Sequence, residues 1–239
     1  MSAQPVILHH FDQSPFSEKI RLIFGLKNIA WTSVRISRIM PRPDLMPLTG
    51  GYRRTPVMQI GADVYCDTQC IMRELERRFP TPSLLPRGFE GLAWASAMWT
   101  DRSFFQNTVN LVFGTLADKV PAAFIEDREK LRGAKFDVAA MKAAIPQMRD
   151  QVRAHLAWID TQLADERAFL AGDAPSLLLC ARKEKPPKRS SDLSKLCRFR
   201  AFSAKNRKPG TRPGLTSLGS LEGVEKSPNV EHLAPVGPS

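Results

Sequence analysis

Ser14 and Pro15 open the segment SPFSEKIRL, directly after the short apolar run PVILH. Serine is a favoured N-cap, because its side-chain oxygen accepts a free backbone N–H of the first helical turn. Proline suits the first helical position, where its missing N–H costs nothing. The same geometry has a chemical use. A helix start presents unpaired N–H groups and a partial positive charge, a natural seat for an anion, and a thiol placed there has its pKa lowered. A serine hydroxyl aimed at that sulfur adds one donor. Lowering a thiol pKa by about two units corresponds to roughly 2.7 kcal/mol of preference for the thiolate. Two readings of Ser14 therefore stand side by side, a capped helix and a thiolate seat. Asp67 and Thr68 are a second acid and hydroxyl at a helix start, a pair suited to any N-cap. Cys66 and Cys70 lie four apart, but neither a second pair nor a nearby histidine completes a metal site. With Cys180 and Cys197 they read as thiols of a reducing cytoplasm, and no metal is implied.

The elements that must hold these residues follow from apolar spacing. PVILH is a short buried strand. Ile20, Ile23, Phe24 and Lys27 fall at i, i+3, i+4 and i+7, which predicts a helix over about residues 15–27 with one mostly apolar face. AWTSVRI alternates and is a second strand. The segment RIMPRPDLMPLTGGYRR is rich in proline and glycine and reads as an irregular connection. PVMQI and DVYC flank Gly61 and Ala62, a hairpin signal, and TQCIMRELERRF is a helix stopped by Pro80. The order βαβ, loop, ββα makes a small α/β sandwich over residues 1–80. A linker follows at 81–88. From 89 to 177 the pattern is helical only. Val109, Val112, Phe113 and Leu116 make one face, and Met141, Ile145, Met148, Val152, Leu156, Ile159 and Leu163 make a longer stripe. Pro146 inside that stripe kinks the helix or marks its first turn.

These segments carry a resemblance. The first half resembles the thioredoxin-like domain of glutathione transferases, and the second half is similar to their all-helical C-terminal domain. SPFSEKIRL is similar to the segment opening the first helix of serine-type members, and the resemblance makes Ser14 the activating hydroxyl. Ser17, one turn on, is a secondary candidate. Relatives with thiol–disulfide chemistry carry cysteine at that place, so serine argues against such chemistry. RRTPVMQI resembles the family's strand-opening cis-proline, Pro56 here, with the backbone of Thr55 pairing to the cysteinyl part of glutathione. YCDTQCIMREL resembles the start of the next helix, which implies that Asp67 and Thr68 hold the γ-glutamyl ammonium and carboxylate. Arg53 and Arg54 either meet a glycyl carboxylate or are solvated. Trp99, Phe104 and Phe105 either line an acceptor pocket or belong to the core. The implied activity is a glutathione transferase with glutathione as co-substrate, a small electrophilic acceptor and a possible homodimer. The alternative is a non-catalytic binding or interaction protein on the same fold.

The chain has a net charge of +11, but from Arg182 onward there are 13 Lys+Arg against 5 Asp+Glu, while residues 1–181 hold 22 against 19. The basicity belongs to the last quarter. Residues 182–239 include 7 Pro, 5 Gly and 8 Ser and have no apolar period, which predicts disorder. Only Phe199 and Phe202 are interleaved with those charges, so non-specific contact with nucleic acid or an acidic surface is the most this tail supports. No apolar run is long enough to span a membrane. In the family, a segment like FLAGDAPSL leads into an acid three residues after the serine and then a central buried helix. Here Ser176 is followed by leucine at 179 and then by KEKPPKR. The break reads as a shifted reading frame that replaces the last helices, or else as a natural extension of the chain. It implies that the stripe from Met141 to Leu163 is partly uncovered and that the chain is marginally stable.

Overall fold

A computed structural model describes residues 4–165 and 167–177. The expected basic tail, the position of Leu179 and the proposed change of reading frame lie outside the described residues. Four strands form one mixed sheet in the order β2-β1-β3-β4, with β1 at Val6–His10, β2 at Trp31–Arg35, β3 at Val57–Ile60 and β4 at Asp63–Cys66. β1 runs parallel to β2 and antiparallel to β3, and β3 is antiparallel to β4. The hairpin between β3 and β4 closes on two residues, because Ile60 pairs with Asp63. Gly61 leads that loop at φ +61°, a backbone that glycine adopts without strain.

Helix α1, Pro15–Leu26, turns its apolar stripe onto this sheet, and α2, Thr68–Arg78, lies beside it. Val6, Leu8, Met58 and Ile60 from the strands meet Ile20, Ile23 and Phe24 from α1 and Ile71, Met72 and Leu75 from α2 in one buried cluster. This is the expected thioredoxin-like half. The fourth position of the α1 stripe, Lys27, is buried with its apolar companions. Its ammonium donates to the carbonyls of Phe79 (2.6 Å) and Pro82 (2.8 Å) and pairs with Glu76 at 2.6 Å, so all three of its hydrogens have acceptors. A buried charge survives only under such full pairing.

The helical half begins with α3, Glu90–Trp99, which passes through a π-helical turn, Thr100–Phe104, into α4, Phe105–Thr115. Ala93 and Ala97 of α3 and Leu84 of the linker join the sheet's core, which welds the two halves together. Helices α5 (Ala122–Arg132), α6 (Val138–Ala143) and α7 (Ile145–Gln162) follow. The long stripe is thus shared between two helices, and Pro146 lies in the first turn of α7, where proline is tolerated. Of the seven stripe residues only Val152 and Leu163 are buried. Phe113, Phe124 and Phe136 pack together, with ring centroids 5.1–6.3 Å apart.

Candidate functional site

The strand register collects the chemistry-bearing residues at one end of the sheet. His9, next to last in β1, pairs with Val57 at the start of β3, and Val57 pairs in turn with Cys66 at the end of β4. The loop leading from β1 to Ser14, the Thr55–Pro56 step ahead of β3, and Asp67–Thr68 after β4 therefore share one rim. β2 ends at the same rim, where Arg35 pairs with His10 and the Ile36 N–H donates to the His10 carbonyl at 2.9 Å.

Ser14 is the N-cap of α1, 4% exposed, and its Oγ accepts the Ser17 N–H at 3.1 Å. Its hydroxyl hydrogen is not used by that bond. The Ser17 Oγ is buried without a hydrogen-bond partner. The loop before Ser14 is held by Arg21, which donates to the Asp12 carbonyl at 3.0 Å, to Glu18 at 2.5–2.8 Å and to His10 Nδ1 at 2.8 Å. Because His10 Nδ1 accepts, its proton sits on Nε2 and is donated to Ser33 Oγ at 2.8 Å. Burial, and then the Arg21 guanidinium, push the His10 imidazole below its ordinary pKa, so the ring stays neutral.

The Thr55–Pro56 bond is cis, and Pro56 is buried. Thr55 Oγ1 accepts from Arg42 at 3.1 Å. The same guanidinium donates to the carbonyls of Ser37, Arg38 and Arg53 at 2.6–3.0 Å, so Arg42 ties the irregular connection into one block. Nothing in the sequence singled out Arg42. A buried arginine inside a proline-rich loop is recognisable only once the carbonyls it serves are in place. Arg53 is half-buried and pairs with the buried Asp127 of α5 at 2.5 Å. Arg54 is exposed. Asp67 caps α2, accepting the Gln69 N–H at 2.7 Å, from an unusual backbone at φ +74°, ψ 137°. Thr68 beside it is buried. Burial pushes the Cys66 and Cys70 thiols above their usual pKa, which keeps them protonated at neutral pH. Among the described residues, no three His, Cys, Asp or Glu side chains converge to hold a metal.

The helical half reaches this rim through the π-helical turn. Its Asp101 pairs with Lys19 of α1 and accepts from Gln69 of α2 at 3.2 Å, and Phe105 meets Phe16 edge-to-face at 4.7 Å. Trp99 and Phe104 turn the other way and pack on His155 of α7. Of the three aromatic candidates, only Phe105 faces the helix mouth. A separate groove of about 440 Å³ is lined by Phe89, Leu92, Trp99, Trp158 and Leu170, with Arg167 at its edge. No helix among the described residues is long and apolar enough to cross a membrane.

Residues 8–83 match the family model described as "Glutathione S-transferase, N-terminal domain". A glutathione S-transferase-like protein from Pseudomonas syringae is 38% identical, with a TM-score of 0.57; the match covers 74% of this chain and 55% of that one, so this chain spans little more than half its length. FtsZ-localized protein A of Caulobacter vibrioides is 29% identical over 175 residues, 71% of each chain. A theta-class glutathione S-transferase from Xanthomonas axonopodis pv. citri, solved with glutathione bound, shares the fold at 20% identity, a TM-score of 0.54 and coverage of 73% and 77%.

Proposed function

We propose, from the premise that this chain has the glutathione S-transferase fold, that it is a glutathione transferase in which Ser14 stabilises the reacting sulfur as a thiolate. The observation that carries this reading is the shared rim: the Ser14 helix mouth, the Thr55–Pro56 step and the Asp67–Thr68 helix start converge through the register of three strands. That set suits a tripeptide thiol. It offers a hydroxyl donor, a strand-like backbone edge, and an acid with a hydroxyl for an amino-acid end. Glutathione, when bound, supplies the sulfur that forms the new bond to an electrophilic acceptor.

The work of the chain's own residues is electrostatic. The Ser17 N–H occupies one lone pair of Ser14 Oγ, which leaves the hydroxyl hydrogen to donate toward an anion at the helix mouth. The Phe16 N–H and the partial positive charge of the helix add to that donor. Thr55 offers backbone groups, and Asp67 with Thr68 the charge and hydroxyl, that would orient the ligand so that its sulfur meets Ser14.

Conjugation of a generic aryl halide tests this reading. Ser14→Ala is expected to lose about a hundredfold in kcat/KM, the factor that about two pKa units represent. Ser14→Asp separates catalysis from capping, since it keeps the cap but sets a negative charge against the sulfur. Its thermal midpoint should stay near the parent's while turnover is lost. Unchanged turnover in Ser14→Ala would remove Ser14 from the mechanism.

A second reading, an interaction protein without turnover, is supported by the similarity to a protein named for its localisation at FtsZ. Retention on immobilised glutathione with no conjugation of any aryl halide would favour it.

A further inference from the structure

The π-helical turn is gripped on two sides. Toward the rim, its Asp101 holds Lys19 and Gln69, and the adjoining Phe105 meets Phe16. On the opposite side the buried His155 of α7 sits among Trp99, Phe104 and Trp158, with ring centroids 5.4, 5.3 and 5.1 Å away. Single π-turns inside α-helices frequently mark functional positions.

The hydrogen bonds fix the protonation state of that imidazole. The Trp99 indole can only donate, and it donates to His155 Nδ1 at 3.1 Å. The ring proton therefore sits on Nε2, 3.1 Å from the Asn107 amide. The Asn107 Nδ2 stands at that distance, and two donors cannot face each other, so a proton on Nε2 requires the carboxamide turned over to offer its oxygen. A second proton, on Nδ1, would face the indole N–H donor against donor. It would also leave a buried cation with no acid at hand. Helix α4 has no ionisable side chain. On the π-turn Asp101 is engaged at the rim and Arg102 is exposed. On α3 Glu90 is bound to the Gly88 N–H, and on α7 Asp150 pairs with Arg153 while Asp160 is exposed.

We propose that His155 is a proton-sensitive positioning residue: its neutral ring holds the π-turn in place, and protonation releases the turn's grip on the mouths of α1 and α2. Burial displaces its titration below the ordinary imidazole value, so the held state prevails at neutral pH and is lost as the pH falls. The effect on ligand binding rests on the glutathione reading above, whereas the release of the turn does not.

Tryptophan fluorescence of the full chain, titrated from about pH 8 to about pH 5, should show a transition centred below about 6.5. Trp158, against the ring, reports it. The His10 ring lies 5.6 Å from that of Trp31 and would add a transition of its own, so every form is compared in a Trp31→Phe background, where His155→Gln should abolish the transition. Trp99→Phe should raise its midpoint, because removing the indole donor relieves the clash. At about pH 5, deuterium uptake over residues 14–19 should be faster in the parent than in His155→Gln, which reads the release without any ligand. Affinity for S-methylglutathione, whose sulfur does not titrate, should fall by about fivefold or more on acidification in the parent and stay level in the variant. A transition that persists in His155→Gln, a midpoint unmoved in Trp99→Phe, or equal uptake over residues 14–19 overturns the proposal. If S-methylglutathione binds at neither pH, the glutathione reading fails, and the fluorescence and uptake results still decide the switch.

Discussion

Asp67 holds a conformation that side-chain-bearing residues seldom adopt, φ +74° with ψ 137°. Such a backbone costs of order 1–3 kcal/mol and tends to persist at ligand sites. An ordinary cap needs no such strain, which singles Asp67 out from the common run of helix starts. Asp67→Gly relieves the backbone and removes the carboxylate. Its thermal midpoint should hold or rise, while affinity for glutathione falls about tenfold, the scale of one charge-assisted hydrogen bond. Undiminished affinity would take Asp67 out of the ligand site. Residue type and order made Ser14, Thr55 and Asp67 visible in the sequence. Arg21, Arg42 and Asp101 were not visible, because each acts on groups distant in the chain or on backbone carbonyls that no motif encodes.

Among the elements, α4 and α6 come close together at Gly114. A Cβ added at Gly114 would lie 2.5 Å from the Met141 carbonyl oxygen and 2.7 Å from its carbon. These are backbone atoms, which do not swing aside as a side-chain tip would. Gly114→Ala gains up to about 1 kcal/mol in helix propensity but forces two helices apart, an overpacking that typically costs about 1–3 kcal/mol. The steric term should win, and the melting midpoint should drop; a midpoint that rises would show that the helices are free to part. Strong periodicity made α1, α2 and the strands legible. The break between α6 and α7 was signalled by Pro146, which stands in the first turn of α7; the π-turn was not legible, since residues 100–104 belong to neither apolar stripe and only the packing shows where the backbone changes path.

At the scale of the described residues together, the most exposed large apolar side chains gather in one place. Phe89, Leu92 and Trp158 are 59%, 63% and 60% exposed around one groove, and five of the seven stripe residues remain half-buried. Contiguous apolar patches of this kind promote association. Phe89→Ser with Leu92→Gln should reduce binding of an anilinonaphthalene dye and raise the concentration at which light scattering appears. Unaltered dye binding would place the apolar surface elsewhere. Charge distribution was readable from composition, because it needs no contacts. The groove was not, for it is formed by residues more than sixty positions apart.

Lys27 bears on how the two halves could ever be handled separately. Its ammonium is anchored to Glu76, Phe79 and Pro82, and Leu84 just beyond completes the sheet's hydrophobic filling. A fragment trimmed at the final turn of α2 would strand a bare cation beneath its own floor and open a hole where Leu84 belonged. The connecting stretch is a keystone, and any scissors applied there should spare everything through Leu84.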